Sequence, residues 1–222
     1  MLKNITNWII SKTYTSHTKS PRILKVLSSC IEDLDHDGMG LNVGAGGSYY
    51  SPKIVNLDII SGKNIDICAD AENLPFKSSS FSLVISQETL EHVRHHSQAI
   101  LEMYRVLKKN GTLYCQIPFI IGFHSRPNDF WRFTREGMRE LFTTSGFECK
   151  EIEVAAGPAF GFYRIAVEFI AIMFSRVVPS LYYSIKGIGA LMLYPITFMD
   201  NFLSNAEQAE RIAGSFYILA KK

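Results

Sequence analysis

Short apolar runs alternate along this chain with segments in which apolar residues recur every three or four positions. The short runs are typical of buried strands, and the wider spacing is typical of helices that bury one face. The pattern predicts helices around residues 23–27, over 95–107 and from Thr134 to Gly146. It also predicts seven strands, at residues 41–43, 53–59, 65–68, 81–86, 112–117, 149–154 and 215–220.

Strands that alternate with helices predict an α/β fold of the doubly wound type, with a mostly parallel sheet between two layers of helices. A chain of 222 residues is long enough for one such domain. We therefore expect a single domain over residues 1–222. Within it, residues 1–31 should form an N-terminal arm and a helix, and residues 158–206 an apolar helical insertion before the last strand.

Residues suited to ligand binding come directly after the predicted strands. Gly44 and Gly46 follow the first strand, Asp58 ends the second, and Asp70 follows the third. The carboxyl ends of parallel strands share one edge of the sheet, which is where such sheets bind ligands. Glycine there lets the backbone approach a ligand closely. The sequence thus predicts a ligand site at this edge, to which Gln87, Glu88 and Pro118 also belong.

The acidic residue at the end of the second strand suggests a ligand with a ribose. A carboxylate at this position is placed to accept hydrogen bonds from ribose hydroxyls, and Asp58 occupies it. A nicotinamide dinucleotide would require a third glycine where this chain has Tyr49. A nicotinamide-dependent dehydrogenase is therefore only the third-ranked class.

Five segments resemble, in order and spacing, the class I S-adenosylmethionine-dependent methyltransferases, in particular the methyltransferase type 11-like members: Asn42–Ser48, Val55–Ile59, Asp70–Phe76, Ser80–Val84 and Leu90–Val93. The resemblance spans about residues 40–118. It implies a Rossmann-like seven-stranded fold, S-adenosyl-L-methionine as the cofactor, and transfer of a methyl group as the activity.

The resemblance also implies roles for individual residues. The glycine loop would contact the methionine part of the cofactor, Asp58 would bind the ribose hydroxyls, Asp70 with Ala71 would recognise the adenine, and Gln87 would lie near the methyl group. The complete set of implied cofactor contacts is Asn42, Gly44, Ala45, Gly46, Asp58, Ile59, Asp70, Ala71 and Gln87.

Two positions depart from the family pattern. The family usually has an acidic residue where this chain has Asn42, and often a glycine where it has Ser48. An amide still donates and accepts hydrogen bonds, so we expect altered cofactor affinity at most. The alternative function is a non-catalytic S-adenosylmethionine-binding or scaffold protein that retains the fold.

Methyl transfer from a sulfonium is an in-line displacement, which depends more on positioning than on a strong catalytic motif. An oxygen or nitrogen acceptor also loses a proton, which a histidine or a carboxylate can accept. We expect His124, Asp129 and His92 to be catalytic residues. For His92 the alternative is a structural role at the start of a helix.

The segment 124–134 is polar and aromatic and follows the fifth strand. It resembles a loop that covers the substrate pocket in a subgroup of these methyltransferases. The alternative is that its aromatic residues only anchor the connection, and both roles can hold together. The nearby spacing of His92, His95 and His96 has no cysteine or clustered carboxylate beside it, so no metal site is expected.

The insertion is richer in apolar residues than the rest of the chain. Its longest uncharged run, residues 187–199, is shorter than the roughly 20 residues that span a bilayer. It would instead form a cap over the pocket, a homodimer face, or an element lying in a membrane interface. The last two suit a lipid-linked acceptor.

Charge and cysteine content limit the partners. The formal net charge is +2 and no run of five like charges occurs, which argues against a nucleic-acid partner. The four cysteines are far apart without a CxxC pair, which indicates reduced thiols, and the N-terminal residues lack a secretion pattern. We expect a cytoplasmic protein, either free or peripheral at the inner face of the membrane, that acts on a small-molecule or lipid-linked acceptor.

Overall fold

The computed structural model describes Trp8, Thr13, Tyr14, residues 20–124 and residues 128–222. Most of the predicted N-terminal arm, and residues 125–127 of the predicted loop, lie outside the described residues. The described helices are α1 (Pro21–Glu32), α2 (His96–Val106), α3 (Arg135–Thr144), α4 (Pro158–Ser175), α5 (Tyr182–Leu193) and α6 (Asp200–Leu203). The strands are β1 (Gly40–Val43), β2 (Ile54–Asp58), β3 (Ile67–Cys68), β4 (Phe81–Gln87), β5 (Leu107–Pro118), β6 (Glu148–Ala156) and β7 (Ser215–Lys221).

The seven strands form one sheet in the order β3-β2-β1-β4-β5-β7-β6. Strand β1 pairs in parallel with β2 and β4, and β2 with β3 and β4 with β5 are also parallel pairs. The strand order reverses between β1 and β4, and ligands of doubly wound sheets bind at such a switch point. The predicted fold class, doubly wound and mostly parallel with an apolar helix before the last strand, is confirmed.

The central strands are buried because helices cover both faces of a parallel sheet. All four residues of β1 are buried, as are five of the seven in β4. Strand β2 pairs with β1 from Ile54 opposite Gly40 to Leu57 opposite Val43. This register brings the carboxyl ends of β1 and β2 to the same level of the sheet.

The chain divides into two compact units. The first consists of Met1–Ile23, Phe119–Phe123 and Val154–Ser215, and the second of Leu24–Pro118, His124–Glu153 and Phe216–Lys222. The second unit contains most of the sheet, and the apolar insertion supplies most of the first. The assignment of residues 1–222 to a single domain stays a prediction.

The junction between α2 and β5 differs from the sequence prediction. The helix ends at Val106, and Leu107 is already extended with φ −73° and ψ 137°. Leu107 pairs with Phe81 of β4, so Lys108 and Lys109 lie in the strand and do not cap the helix. The left-handed residue at the turn is Asn110, with φ 65°. Because Leu107 already pairs with β4, strand β5 begins earlier than the strand predicted at residues 112–117.

In the first unit, α4 and α5 are helical as the sequence predicted. Buried side chains of α4 pack with Tyr14, Ile121, Ala156 and Ala190 in one apolar cluster. The Asp200 carboxylate accepts hydrogen bonds from the amides of Ala159 and Phe160, both at 2.9 Å, and so satisfies the first turn of α4.

Among the described helices, α4 has the length and composition of a membrane span. It has 18 residues, its mean hydropathy is 1.3, and 44% of it is buried within the protein. The core helix of a soluble protein meets the same criterion, so this is weak support for membrane contact.

Arg105 fixes the segment that precedes β4. Its guanidinium donates to the carbonyl oxygens of Leu74 and Phe76 at 3.0 and 2.7 Å and pairs with Glu102 at 2.7 Å. We expect Arg105→Ala to lower the free energy of unfolding by about 1–2 kcal/mol in urea denaturation, because these acceptors lose their donors. Lys109→Ala, which removes an exposed cation of β5, is the control and should change it by less than about 0.5 kcal/mol.

The effect of Arg105→Ala should depend on pH. Hydrogen bonds from Arg105 hold the pKa of Glu102 below its usual range, despite partial burial. The contribution of this pair is therefore full above the unfolded-state pKa of about 4.3 and is lost as the pH falls through the folded-state value. Equal differences between variant and wild type at pH 7 and pH 3 would contradict this account.

Candidate functional site

A cavity of about 380 Å³ lies in the second unit at the carboxyl edge of the sheet. Its size is in the range of small-molecule sites. Its lining comes from the ends of β1, β2 and β4, the turn after β3, and part of the segment after β5. The lining residues are Gly44, Gly46, Leu57, Asp58, Ile59, Ile60, Ala69, Asp70, Ala71, Glu72, Glu88, Thr89, His92, Val93, Arg94, Asn128 and Phe130.

Gly44 directly follows β1, at a place where no side chain fits. Its φ is +71°, and a Cβ atom would lie 2.2 Å from Oγ1 of Thr89. The same Thr89 oxygen lies 3.0 Å from the carbonyl oxygen of Gln87 and 3.2 Å from that of Val43, both of which are acceptors for its hydroxyl. Thr89 therefore connects the ends of β1 and β4, and Gly44 is the residue that makes room for it.

Gly46, in contrast to Gly44, lies beside open space. Its φ is +54°, and no heavy atom lies within 4 Å of the position that a Cβ would take. Its amide donates to Oδ2 of Asp58 at 2.8 Å. The backbone at Gly46 is thus held in place beside open space in the cavity, as a loop that cradles a ligand requires.

The Asp58 carboxylate is oriented by two backbone amides. Oδ2 accepts from Gly46 and Oδ1 accepts from the amide of Ile60 at 3.0 Å. Each carboxylate oxygen can accept a second hydrogen bond. Asp58 is therefore suited to bind two neighbouring hydroxyls, and Ile59 lines the cavity next to it.

Asp70 and Ala71 line the cavity after β3. Oδ1 of Asp70 accepts from the amide of Glu72 at 2.9 Å, which fixes the side chain in a turn. The amide of Ala69 donates to the carbonyl oxygen of Asp58 at 3.0 Å. The second and third strand ends are thereby joined, and Asp58 and Asp70 belong to one wall.

Three residues predicted as cofactor contacts are not part of the cavity lining. Asn42 lies within β1 and its buried amide donates to Oδ1 of Asn56 at 3.0 Å. The Gln87 side chain accepts from the hydroxyl of Tyr50 and donates to Gln116. Ala45 is buried beside Gly44. Of these, Asn42 and Gln87 have side chains that hydrogen-bond to partners within the protein.

Next to the cavity, three side chains form what we term the Glu91 cluster: Glu91, His92 and His124, of which His92 lines the cavity. Oε1 of Glu91 lies 3.6 Å from Nε2 of His92 and 3.7 Å from Nε2 of His124. The two imidazole rings are nearly perpendicular, with centroids 5.1 Å apart. Burial, together with the charge of Glu88, raises the pKa of Glu91 well above its usual range.

The Asp129 carboxylate is placed to orient His124. Its buried carboxylate forms a bidentate pair with Arg132, at 2.5 and 2.7 Å, and accepts from the amide of His124 at 2.9 Å. Although burial opposes ionisation, these hydrogen bonds hold the pKa of Asp129 below its usual range. The carboxylate is therefore occupied in fixing His124 and does not line the cavity.

His92, His95 and His96, which are close in sequence, do not come together in the structure. Nδ1 of His95 lies 2.8 Å from Glu72, and the His96 ring packs edge-on against Trp131 and Phe133. Only His92 of these three lies in the Glu91 cluster. The packing of Trp131 and Phe133 agrees with an anchoring role for the aromatic segment.

Sequence reasoning missed Thr89, Glu91 and Phe130. Glu91 was inside the motif Leu90–Val93, but nothing in the local pattern marked its side chain as fully buried. The amide of Phe130 donates to the carbonyl oxygen of Glu91 at 2.7 Å, a long-range contact that no motif reveals. Glu88, which the sequence assigned to the ligand site, lines the cavity and has a φ of 50°, which is uncommon outside glycine.

Comparison with known proteins agrees with this geometry. A family model described as a methyltransferase domain matches residues 41–115, which include most of β1, the glycine loop, strands β2 to β4, and Glu91 and His92. Residues 41–115, about a third of the chain, are therefore similar to a methyltransferase domain. The predicted family is thereby confirmed, and the cofactor of this family is S-adenosyl-L-methionine.

Curated relatives match parts of this chain. A demethylmenaquinone methyltransferase of Listeria monocytogenes is 30% identical over 125 residues, which are 55% of this chain and 50% of that protein. The ubiquinone/menaquinone biosynthesis C-methyltransferase UbiE of Neisseria meningitidis is 51% identical over 45 residues, 20% of this chain and 18% of that protein. The chain thus spans half or less of the length of these relatives.

Solved structures share the fold at low identity. A phosphoethanolamine N-methyltransferase of Haemonchus contortus, in complex with S-adenosyl-L-methionine, has a TM-score of 0.56 at 15% identity, covering 98% of this chain and 57% of that one. The cyclase SpnF has a TM-score of 0.55 at 16% identity, covering 96% and 92%. Because a cyclase and a methyltransferase are equally similar, this likeness concerns the fold alone.

The methyltransferase domain allows a sharp test of the two glycines. We expect Gly46→Ala to leave the far-UV circular dichroism spectrum unchanged. The positive φ at this position should lower the free energy of unfolding of the variant by about 1–2 kcal/mol. In isothermal titration, the variant should bind S-adenosylhomocysteine at least tenfold more weakly than the wild type. The methyl group would occupy space that the ligand needs.

Gly44→Ala is the matched comparison. Its methyl group would collide with Thr89 and should destabilise the fold by more than Gly46→Ala does. If Gly46→Ala bound S-adenosylhomocysteine as tightly as the wild type, the loop would not contact the cofactor.

Proposed function

We propose that this domain transfers a methyl group from S-adenosyl-L-methionine to a small or lipid-linked acceptor. The observation that carries this proposal is the pairing of the open backbone at Gly46 with the oriented carboxylate of Asp58. One supplies a surface without side chains, and the other supplies hydrogen-bond acceptors for two hydroxyls. Both lie in the cavity at the switch point of the sheet.

In this proposal, Gly44, Ala45 and Gly46 form the loop beside the methionine part of the cofactor, and Asp58 with Ile59 holds the ribose. Asp70 and Ala71 lie beside the adenine. Asn42 and Gln87 support this wall through hydrogen bonds inside the protein, at Asn56 and Gln116. When bound, S-adenosyl-L-methionine supplies an electrophilic methyl carbon, and the protein has to position the acceptor against it and exclude water.

The acceptor side is the part of the cavity nearest the Glu91 cluster. His92 lines the same cavity as Gly46 and Asp58, and His124 is held beside it. We propose that His92 and His124 face the acceptor and that Asp129 positions His124. The carbonyl oxygen of Glu91 accepts from the amide of Phe130, which places this aromatic residue at the cavity wall.

A demethylated quinone is the first acceptor class to test. The relatives from Listeria and Neisseria are named for menaquinone and ubiquinone methylation. A quinone with an isoprenoid tail is lipid-linked, which suits the apolar character of the first unit. The match to these relatives is partial, so the acceptor is part of the proposal.

The alternative function is a non-catalytic S-adenosylmethionine-binding or scaffold protein. The observation that favours it is the neutral Asn42 at a position where the family usually has an acid. The two functions differ in measurable ways, since the scaffold would bind the cofactor without releasing S-adenosylhomocysteine, or would not bind it at all.

Two variants should distinguish cofactor binding from methyl-transfer turnover. We expect Asp58→Ala to abolish S-adenosylmethionine binding in isothermal titration, because the ribose loses its acceptors. We expect His124→Ala to bind the cofactor normally but to lower S-adenosylhomocysteine release with a demethylmenaquinone acceptor at least tenfold. Unchanged turnover in both His124→Ala and Asp129→Ala would remove these residues from the acceptor side.

We also propose that the exposed apolar side chains of the first unit contact a membrane interface. Phe169, Val177 and Phe202 are 65%, 84% and 83% exposed. Arg176 is an exposed cation beside them, whereas Lys186 pairs with Glu168. Aromatic and aliphatic side chains beside cations are typical of interfacial helices on anionic lipids. A cytoplasmic protein peripheral to the inner face of the membrane, as the sequence suggested, remains a prediction, as does a homodimer.

Vesicle flotation tests this membrane contact. We expect the full chain to float with phosphatidylcholine vesicles that contain phosphatidylglycerol, and Val177→Glu to lower the bound fraction at least about tenfold, because burial of this side chain stabilises binding by about 1.5 kcal/mol or more. Leu101→Glu, on an exposed position of α2, is the control and should bind like the wild type. Equal binding by Val177→Glu and the wild type would contradict the assignment of this surface.

A further inference from the structure

The Glu91 cluster has the dimensions of a metal site. One potential ligand atom from each of its three side chains lies within 4.8 Å of the other two. Metal–ligand bonds of about 2.0–2.2 Å at a tetrahedral angle place ligand atoms about 3.4 Å apart. The observed distances of 3.6 and 3.7 Å from Oε1 to the two Nε2 atoms are close to this value.

The His92 imidazole is oriented as a metal ligand. Its Nδ1 hydrogen-bonds to the carbonyl oxygen of Asn128. A carbonyl oxygen only accepts, so Nδ1 bears the proton and Nε2 presents its lone pair toward Glu91. Metal-binding histidines usually have this arrangement, in which the second ring nitrogen donates to a carbonyl or a carboxylate.

The His124 imidazole has a carboxylate in the equivalent position. Its Nδ1 lies 3.5 Å from Oδ2 of Asp129 and 3.3 Å from Nη2 of Arg132. Because a guanidinium nitrogen only donates, Nδ1 accepts from Arg132 in this structure. A cation bound at Nε2 would require the other tautomer, in which the proton lies on Nδ1 and faces Asp129. The carboxylate–histidine pairing of metal sites is then complete, and Arg132 keeps Asp129 ionised and in place.

The surroundings of Glu91 point in the same direction. Its side chain is completely buried, and neither carboxylate oxygen accepts a hydrogen bond from a described residue. A buried carboxylate without hydrogen bonds is strongly unfavourable when ionised, unless a nearby cation compensates its charge. Such groups in native proteins require an explanation, and an ion that the carboxylate binds directly is one.

We propose that Glu91, His92 and His124 bind one divalent first-row transition-metal ion. Two imidazoles and one carboxylate form a ligand set for Zn²⁺, Fe²⁺ or Mn²⁺ that keeps positions for other ligands. Metal binding goes beyond the proposed function and does not depend on it. One consequence does rest on the proposed function, namely that an oxygen of the acceptor would occupy an open position and so be oriented toward the methyl group.

The test uses the full chain stripped with a chelator and then titrated with Co²⁺, whose visible absorption reports its coordination. We expect one Co²⁺ per chain, an absorption spectrum of nitrogen-coordinated Co²⁺ with fewer than six ligands, and displacement by Zn²⁺. Magnesium, which prefers oxygen ligands, should not displace it. The inference is overturned if the wild type binds no stoichiometric Co²⁺ or Zn²⁺.

Variants assign the ion to its ligands. Glu91→Gln and His124→Ala should each weaken Co²⁺ binding at least about 100-fold, since even outer partners of such ligands change affinity by 10–100-fold. His36→Ala removes an exposed histidine that also lies beside a carboxylate, and it should bind Co²⁺ like the wild type. Wild-type affinity in both Glu91→Gln and His124→Ala would overturn the site.

Two controls keep the outcomes distinct. A thermal melt followed by circular dichroism without metal shows whether each variant is folded, and the near-isosteric Glu91→Gln keeps the packing of the buried side chain. Titration of the metal-free chain with S-adenosylmethionine tests the proposed function separately. Cofactor binding without Co²⁺ binding would overturn the metal site alone, and the reverse result would overturn the proposed function alone.

Discussion

The contact between Gly44 and Thr89 fixes the geometry of the cavity. Thr89 can lie across the ends of β1 and β4 only because residue 44 has no side chain, and a Cβ there would come within 2.2 Å of the threonine hydroxyl. With Thr89 in place, the chain leaves β1 through residues of positive φ, and the amide of Gly46 turns toward Asp58. The orientation of the carboxylate and the open surface beside it both follow from this single close approach.

The same segment also forms another part of the cavity wall, through Glu88, His92 and Val93. From Gln87 to Val93 the backbone passes through the positive φ of Glu88 and a short 3₁₀ turn, Leu90–His92. This turn buries Glu91 and leaves His92 at the cavity, while the carbonyl oxygen of Glu91 accepts from the amides of Phe130 and Trp131. Because one segment contributes to both parts of the wall, a change at Thr89 should disturb the cofactor side and the acceptor side together.

The sequence predicts those features that depend on local pattern. Strand positions follow from apolar runs, and Asp58 and Gly46 follow from their places at strand ends. Asn42 and Gln87 were assigned to the cofactor site through the family resemblance, but the direction of their side chains depends on partners in neighbouring strands, Asn56 and Gln116. The Glu91 cluster could not be predicted, since His124 reaches it through the connection after β5, whose course no local spacing determines.

The structure offers an explanation for Asn42, which stands where the family usually has an acidic residue. Asn42 donates to Asn56 within the sheet, where both side chains are buried. Two neutral amides satisfy each other in such a place, whereas a carboxylate in a buried strand would need a donor or a cation. The groups that face the cavity are the loop backbone and Asp58, which do not depend on a charge at residue 42. The substitution that first favoured a scaffold is therefore compatible with cofactor binding, and it weakens the case for the alternative function.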